Sequence, residues 1–191
     1  MHIYFSGIGG AGIGPLALIT HQAGFDVSGS DKQESGYITY LQQHGITRIT
    51  IGQTEDAIRA AHEAQPIDWF VYSSALPKEH PDHPELRFVQ AHGIKNSKRD
   101  EFLTYLLSEK QLKLIAVAGT HGKTTTTAMA IWLFKQLDIP ISYSVGAKLS
   151  FGDMGAFDAS SDYFVYECDE YDRNFLSFRP YLSTISGIDW D

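Results

Sequence analysis

The 191-residue chain has little cysteine, no excess of positive charge and no long apolar run. Its single cysteine, Cys168, excludes an intramolecular disulfide and favours a reducing, cytoplasmic setting. Lysine and arginine number 15 against 23 aspartates and glutamates, for a net charge of −8, which argues against sequence-independent nucleic-acid binding. No apolar stretch is long enough to span a bilayer, and the first residues lack the regions of a signal peptide. The composition therefore predicts a soluble intracellular protein with no nucleic-acid or membrane partner.

Residues 114–127, LIAVAGTHGKTTTT, carry the strongest nucleotide-binding pattern. An apolar run predicts a strand, a glycine turn follows, and Lys123 begins a helix whose first turn is four threonines. Backbone N–H groups of such a turn converge on an anion at the helix N-terminus, while the lysine reaches the β/γ-phosphates and the Thr124 hydroxyl holds Mg²⁺. Val117 stands where the usual pattern has its first glycine. The alternative, an ordinary strand-to-helix turn, leaves a lysine beside threonines at a buried helix start unexplained.

A second glycine loop, GIGGAG over residues 7–12, follows a strand predicted at the N-terminus. A helix is predicted over residues 13–23 and the next strand over residues 25–28. Asp31 comes about 22 residues after the middle glycine, Gly9. This order is the context that a dinucleotide-type fingerprint requires. The alternative is a glycine-rich turn that serves only the close packing of helix on strand.

Repeated strand–helix units predict the fold class. We expect an α/β protein with a Rossmann-like, doubly wound parallel sheet, followed by the start of a P-loop α/β ATPase domain. Further helices are predicted over 37–44, 55–64, 85–92 and 99–108, with strands over 48–51 and 68–72. Residues 77–84, which contain three prolines, are predicted to form a loop. The seam falls at residues 109–111, so the predicted domains are 1–108 and 112–191.

The second predicted domain has strands over residues 141–145, 163–167 and 181–188. Four carboxylates lie between residues 167 and 172, at the carboxyl end of the middle strand. They are interpreted as a Mg²⁺-binding segment with Glu167 as the best candidate ligand, and the alternative is a solvated acidic loop. A parallel strand at the end of the chain without a return helix is expected to leave one sheet face uncovered. We therefore expect the chain to be part of a longer protein.

These motifs together resemble the Mur ligase family. The resemblance rests on GIGGAG (7–12), VSGSD (27–31), SSA (73–75), AGTHGKTTTT (118–127) and ECDEYDRNFL (167–176). It implies a complete N-terminal domain that holds a UDP-sugar, the opening part of a central ATPase, and no C-terminal domain. The missing first glycine of the phosphate loop is normal in that family. In the family a histidine that binds a second metal follows GIDWD, where this chain stops.

The resemblance also implies roles for individual residues. The implied substrate-binding residues, on the diphosphate or the uridine periphery, are Gly9, Gly10, Gly12, Ser30, Asp31, Ser73 and Ser74. The implied ATP-binding residues are Gly119, Thr120, His121, Gly122, Lys123, Thr124 and Thr125. Lys123, His121 and Glu167 are the candidate catalytic residues, with Lys123 stabilising charge on the γ-phosphoryl group, and Thr124 and Glu167 would bind Mg²⁺. For His121, a turn histidine that caps the helix is the alternative.

The implied reaction joins L-alanine to the carboxylate of UDP-N-acetylmuramate through an acyl phosphate made from ATP. The chain alone is expected to bind the UDP-sugar without turnover. Three alternatives are kept: a recycling ligase that attaches a preformed tripeptide to the same UDP-sugar, a non-catalytic UDP-sugar-binding module, and a nicotinamide dehydrogenase, which leaves the P-loop unexplained. Cys168 is interpreted as structural, because nothing near it in the sequence resembles the base that a nucleophile needs.

Overall fold

The computed structural model describes residues 1–79, 81–168 and 176–188. The chain forms two compact units, Met1–Phe102 and Leu103–Asp191. The division between the units falls inside a helix that spans Arg99–Glu109. The predicted domain bounds, 1–108 and 112–191, stay a prediction. Within the described ranges, no helix combines the length and the apolar character needed to cross a membrane.

Unit 1 alternates strands and helices around one parallel sheet. Its strands are β1 (His2–Ser6), β2 (Asp26–Asp31), β3 (Ile49–Ile51), β4 (Trp69–Tyr72) and β5 (Lys95–Lys98). Its helices are α1 (Gly14–Gln22), α2 (Gly36–Gln43), α3 (Glu55–Ala64), α4 (Leu76–Glu79) and α5 (Pro84–Ala91), and α6 (Arg99–Glu109) continues into unit 2. The strand order is β3-β2-β1-β4-β5. The order reverses beside β1, so the carboxyl end of β1 lies at the switch point where doubly wound sheets bind ligands.

The core of unit 1 covers both faces of β1, because every residue of that strand is buried. On one face Tyr4 stacks on Phe70, with ring centroids 5.7 Å apart. On the other face the Phe5 and Trp69 rings each pack edge-to-face against the Phe102 ring. Burial of each such aromatic side chain contributes about 1.5–3 kcal/mol, so this layer fixes the position of the β1 terminus.

Unit 2 contains β6 (Lys113–Ala118), α7 (Lys123–Gln136), β7 (Ser142–Ser144), β8 (Gly155–Ala156), β9 (Tyr163–Glu167) and β10 (Leu182–Ile185). The strand order is β10-β6-β9-β7-β8, and only β8 runs antiparallel to its neighbour. The register pairs Val117 with Glu167, which places the carboxyl ends of β6 and β9 side by side. All four β10 side chains are exposed.

The predicted fold class is confirmed, since the structure is mixed α/β with a parallel five-stranded sheet in unit 1. The prediction of a loop over residues 77–84 is wrong in part: α4 covers its first residues and Pro84 begins α5, a position that proline tolerates, whereas residues 81–83 lie outside both helices. The polar strand β5 and the two-residue β8 escape prediction, since neither carries an apolar run. The predicted strand over residues 181–188 shortens to β10; beyond it the Ser186 N–H still donates to the last residue of β6, Ala118, but the Gly187 carbonyl accepts from Thr120 in the loop after β6.

Candidate functional site

The glycine loop between β1 and α1 is shaped by the end of β2. The N–H groups of Gly7 and Ile8 both donate to the Ser30 carbonyl, at 2.8 and 3.0 Å. Gly7 adopts a φ of +77°, a left-handed conformation that favours glycine. The Gly9 N–H donates to Asp31 Oδ2 at 2.8 Å. The predicted acid therefore contacts the middle glycine directly and holds the loop against the sheet.

A cavity of about 240 Å³ opens at this carboxyl end of the sheet. Three loop glycines line it, Gly7, Gly10 and Gly12, together with two cationic residues, Lys32 and Arg99. A Cβ added to Gly12 would lie 2.5 Å from Arg99 Nη1, so the guanidinium sits directly over the loop. Two cations beside glycines that allow a close approach to the backbone make this cavity suited to an anion such as a diphosphate.

The structure separates the predicted substrate-binding residues into two groups. Gly10, Gly12, Asp31 and Ser73 line the cavity, whereas Gly9, Ser30 and Ser74 lie outside its lining. Ser30 is fully buried, and it supports the loop through its backbone carbonyl. Substrate contact by any of the seven stays a prediction.

Glu85, which the sequence analysis missed, is a fully buried carboxylate behind the glycine loop. Its Oε1 accepts from the hydroxyls of Tyr4 at 2.9 Å and Ser30 at 2.6 Å, and its Oε2 accepts from Ser6 Oγ at 2.6 Å. Burial raises the pKa of the Glu85 carboxyl, and the three hydroxyl donors act against that rise. Burial, followed by the Glu85 charge, raises the pKa of Tyr4. No local pattern marks Glu85, since its partners lie 55 to 81 residues away.

The P-loop of unit 2 follows β6. Val117, in the place of the usual first glycine, belongs to β6, and its carbonyl accepts from the Cys168 N–H at 2.8 Å. The left-handed positions fall at Gly119 (φ +133°) and Gly122 (φ +79°) instead. Gly122 is the N-cap of α7 and offers no side-chain hydrogen bond to its first turn. The first N–H groups of α7 are thus placed to receive an anion.

Lys123, Thr124 and Glu167 come together at this loop. Lys123 Nζ donates to the Gly119 carbonyl at 2.6 Å, so the ammonium lies over the glycine turn. The Thr124 hydroxyl donates to Glu167 Oε1 at 2.7 Å, and the Gly146 N–H donates to Glu167 Oε2 at 2.7 Å. The strands and α7 therefore bring Thr124 to Glu167 across 43 residues of sequence.

The Thr124–Glu167 pair fits a hard cation. The hydroxyl proton of Thr124 is committed to Glu167, which leaves the oxygen lone pairs of Thr124 for a metal, and each carboxylate oxygen keeps further acceptor capacity. Among the described residues, no group of three or more histidine, cysteine, aspartate or glutamate side chains forms a metal cluster. The other carboxylates of the acidic segment, Asp169, Glu170 and Asp172, lie outside the described residues.

The remaining P-loop residues contact the segment after β10. The Thr120 N–H donates to the Gly187 carbonyl at 2.9 Å, and the Ser186 hydroxyl donates to the His121 carbonyl. His121 and Thr125 are exposed. Because Gly122 is the N-cap, the cap of α7 is not His121. Ser186, Gly187 and Gly146 could not be predicted from the sequence, because Gly187 and Gly146 act through backbone groups and Ser186 through its hydroxyl.

The geometry defines a class of α/β protein in which each unit's first strand leads through a glycine loop into a helix, with cationic side chains over both loops. The model of the Mur ligase family, catalytic domain, matches residues 2–111. The chain belongs to the Mur ligase family.

Curated relatives and solved structures agree with that assignment. The chain is 37% identical to a UDP-N-acetylmuramate–L-alanine ligase from Frankia casuarinae, over all of the chain and 37% of that protein. It is 39% identical to one from Agathobacter rectalis, over 99% of the chain and 39% of that protein. The crystal structure of UDP-N-acetylmuramate-alanine ligase MurC from Thermotoga maritima matches all of the chain and 42% of its own, with a TM-score of 0.86 and 28% identity. The chain therefore spans well under half the length of these relatives.

Proposed function

We propose that this chain is part of a cytoplasmic, ATP-dependent ligase of peptidoglycan precursor synthesis that joins L-alanine to UDP-N-acetylmuramate. The observation that carries the proposal is the meeting of Lys123, Thr124 and Glu167 at the P-loop of unit 2. The similarity to ligases of that name, over the whole chain, supports the choice of substrate.

In this proposal unit 1 holds the UDP-sugar. The diphosphate lies on the glycine loop, where the Arg99 guanidinium, together with Lys32, offsets its charge. Asp31 holds Gly9 and so keeps the loop open for close approach of the anion. Arg99 takes part as a fixed fork rather than as a point charge, which suits two adjacent phosphate groups.

Unit 2 holds ATP and Mg²⁺. Gly119, Gly122 and the first turn of α7 form the phosphate cradle, and Thr124 and Glu167 would hold the metal, which offsets charge on the phosphates when bound. Lys123 moves from the loop carbonyls to the γ-phosphoryl oxygens, where its positive charge counts most as negative charge develops. Gly146 fixes the orientation of Glu167 through its N–H.

The proposed chemistry has two steps. A carboxylate oxygen of the muramate lactyl group attacks the γ-phosphorus, the bond to the β–γ bridging oxygen breaks, and ADP leaves. The amine of L-alanine then attacks the carbonyl carbon of the acyl phosphate, loses a proton, and expels phosphate. Neither step needs a covalent bond to the protein, so the residues of this chain act by positioning and by charge stabilisation.

A second candidate is the ligase that attaches a preformed tripeptide to the same UDP-sugar. It is favoured by the structural likeness to the UDP-N-acetylmuramate:L-alanyl-γ-D-glutamyl-meso-diaminopimelate ligase from Neisseria meningitides, which has a TM-score of 0.84 and 27% identity. That match covers all of this chain and 61% of the other. Both candidates share the two nucleotide sites and differ in the amine that attacks the acyl phosphate.

Titration calorimetry with the 191-residue chain tests the shared part. We expect UDP-N-acetylmuramate to bind and NAD⁺ not to bind, and we expect Lys123→Ala to remove Mg²⁺-dependent ATP binding. Lys135→Ala, a lysine of the same helix that bonds to the Phe151 carbonyl, is the matched control. Preference for NAD⁺ would overturn the proposal. In the whole ligase, phosphate release stimulated by L-alanine rather than by the tripeptide selects the first candidate.

A further inference from the structure

A chain of hydrogen bonds runs from the buried Glu85 to the cavity of unit 1. Ser6 Oγ donates to Glu85 Oε2 at 2.6 Å, and Gln53 Nε2 donates to Ser6 Oγ at 2.8 Å. Ser6 and Gln53 line the cavity, whereas Glu85 lies behind them with no exposed surface. The carboxylate therefore touches the cavity only through these two side chains.

The direction of the hydrogen bonds from Glu85 through Ser6 to Gln53 is fixed at the buried end. Three hydroxyl groups donate to the Glu85 carboxyl, and the single proton of the Ser6 hydroxyl is the one that points to its Oε2. Ser6 Oγ can then only accept from its next partner, which must present an N–H. Gln53 meets that demand with Nε2, and a flipped amide would set two acceptors against each other. The Gln53 amide is thereby held with its carbonyl, Oε1, at the end away from Ser6.

Gln53 lies on the side of the cavity where a nucleoside would extend. It follows β3, which pairs with β2 so that Ile51 is opposite Asp31. In doubly wound sheets a ligand whose diphosphate sits on the first glycine loop places its nucleoside over the end of the second strand. The Asp31 carboxylate there already accepts from the Gly9 and Gln33 N–H groups, at 2.8 and 3.3 Å.

We propose that Gln53 is a specificity residue for the nucleoside, accepting through Oε1 a hydrogen bond from a nucleoside N–H or O–H group, and that Glu85 is a positioning residue that fixes the Gln53 amide through Ser6. The inference rests on the proposed function only in that a uridine nucleotide binds in this cavity.

The test is calorimetry with UDP and three analogues that each lack one donor: N3-methyl-UDP, 2′-deoxy-UDP and 3′-deoxy-UDP. The unaltered chain should bind one analogue about three- to ten-fold more weakly than UDP, the size of one lost hydrogen bond. Gln53→Met keeps the side-chain length and removes the amide, so it should bind UDP and that analogue equally. Which analogue is affected identifies the donor as the base or a ribose hydroxyl.

The role of Glu85 is tested in the same assay. Glu85→Gln and Ser6→Ala should each shrink the preference, and neither should change it further once Gln53→Met is present. Tyr4→Phe is the matched control, because it removes one hydroxyl from Glu85 without touching the bonds through Ser6, and it should keep the full preference. Circular dichroism shows whether each variant is folded, and Ser6→Ala tests the linkage if Glu85→Gln is not.

The outcomes separate this inference from the proposed function. If UDP binds but all three analogues bind equally well, or if Gln53→Met keeps the preference, the role of Gln53 is refuted while the uridine nucleotide site stands. If Tyr4→Phe loses the preference as fully as Ser6→Ala does, the link through Ser6 is refuted. If UDP does not bind the unaltered chain, both the site and the inference fall.

Discussion

Gly12→Ala is the sharpest test of the proposed diphosphate site. The added methyl group would lie 2.5 Å from Arg99 Nη1 and 3.6 Å from its Cζ, so the guanidinium must move away from the loop. The backbone itself accommodates alanine, because Gly12 is not among the residues with positive φ. The substitution therefore displaces one cation while leaving the fold in place.

The expected magnitudes differ for binding and for stability. A charge-assisted hydrogen bond is worth about 1.5–3 kcal/mol, which corresponds to roughly a 10- to 150-fold change in Kd. The Arg99 side chain is only 18% exposed, so solvent screens it weakly, but its ion pair with Asp100 at 3.3 Å offsets part of its charge and favours the lower half of that range. Folding stability should change by less than about 1 kcal/mol, because a compatible glycine-to-alanine change also restricts the unfolded chain.

Calorimetry with UDP-N-acetylmuramate measures the first quantity and thermal denaturation the second. Gly36→Ala is the control, since nothing lies within 4 Å of a Cβ at that position and its φ is not positive. Adding Gly12→Ala to Arg99→Ala should weaken binding little further, because the group it displaces is already gone. Unchanged affinity in Gly12→Ala would refute the assignment of Arg99 to the diphosphate.

Three further predictions concern the fold and the second site. Gly29→Ala should destabilise unit 1 by about 2 kcal/mol or more in urea denaturation, because its Cβ would collide with the Phe5 carbonyl between β1 and β2. Burial lowers the pKa of His2, so its neutral form is favoured on folding. Stability should be full above pH 6.5 and fall as pH drops through that value towards the lower folded pKa, and melting temperatures of His2→Gln should lack this loss. In the whole ligase, Lys123→Ala should lower the rate of phosphate release by orders of magnitude, whereas Thr124→Ser should retain activity because it keeps a hydroxyl for Glu167.

Both loops could be predicted because their signals are local. A buried strand, a glycine turn and a helix start follow one another within a few residues, and Gly7, Gly119 and Gly122 supply the positive φ angles of these turns. Thr124 and Glu167 could be paired from sequence because adjacent parallel strands align their carboxyl ends. The strand β9 was predictable with its bounds, since its apolar run matches the buried stretch.

The rest depends on long-range contacts that leave no local trace. In sequence Glu85 is an acid in the first turn of a helix, which is normally a solvated position, yet hydroxyls from β1 and β2 bury it. Arg99 is the first residue of α6, and only the tertiary fold sets it over Gly12. The strand β5 reads KNSK, and its pairing with β4 overrides its weak strand propensity.

The single thiol of this chain makes the stability of unit 2 separately measurable. Cys168 follows β9, is 3% exposed, and is the only cysteine in the sequence. Reaction with a maleimide therefore requires the structure around the end of β9 to open, whereas unit 1 contributes no thiol whatever its state. The labelling rate as a function of urea reports the free energy of the opening that exposes Cys168, and under the proposed function its change with added Mg²⁺-ATP gives the affinity of that nucleotide for unit 2.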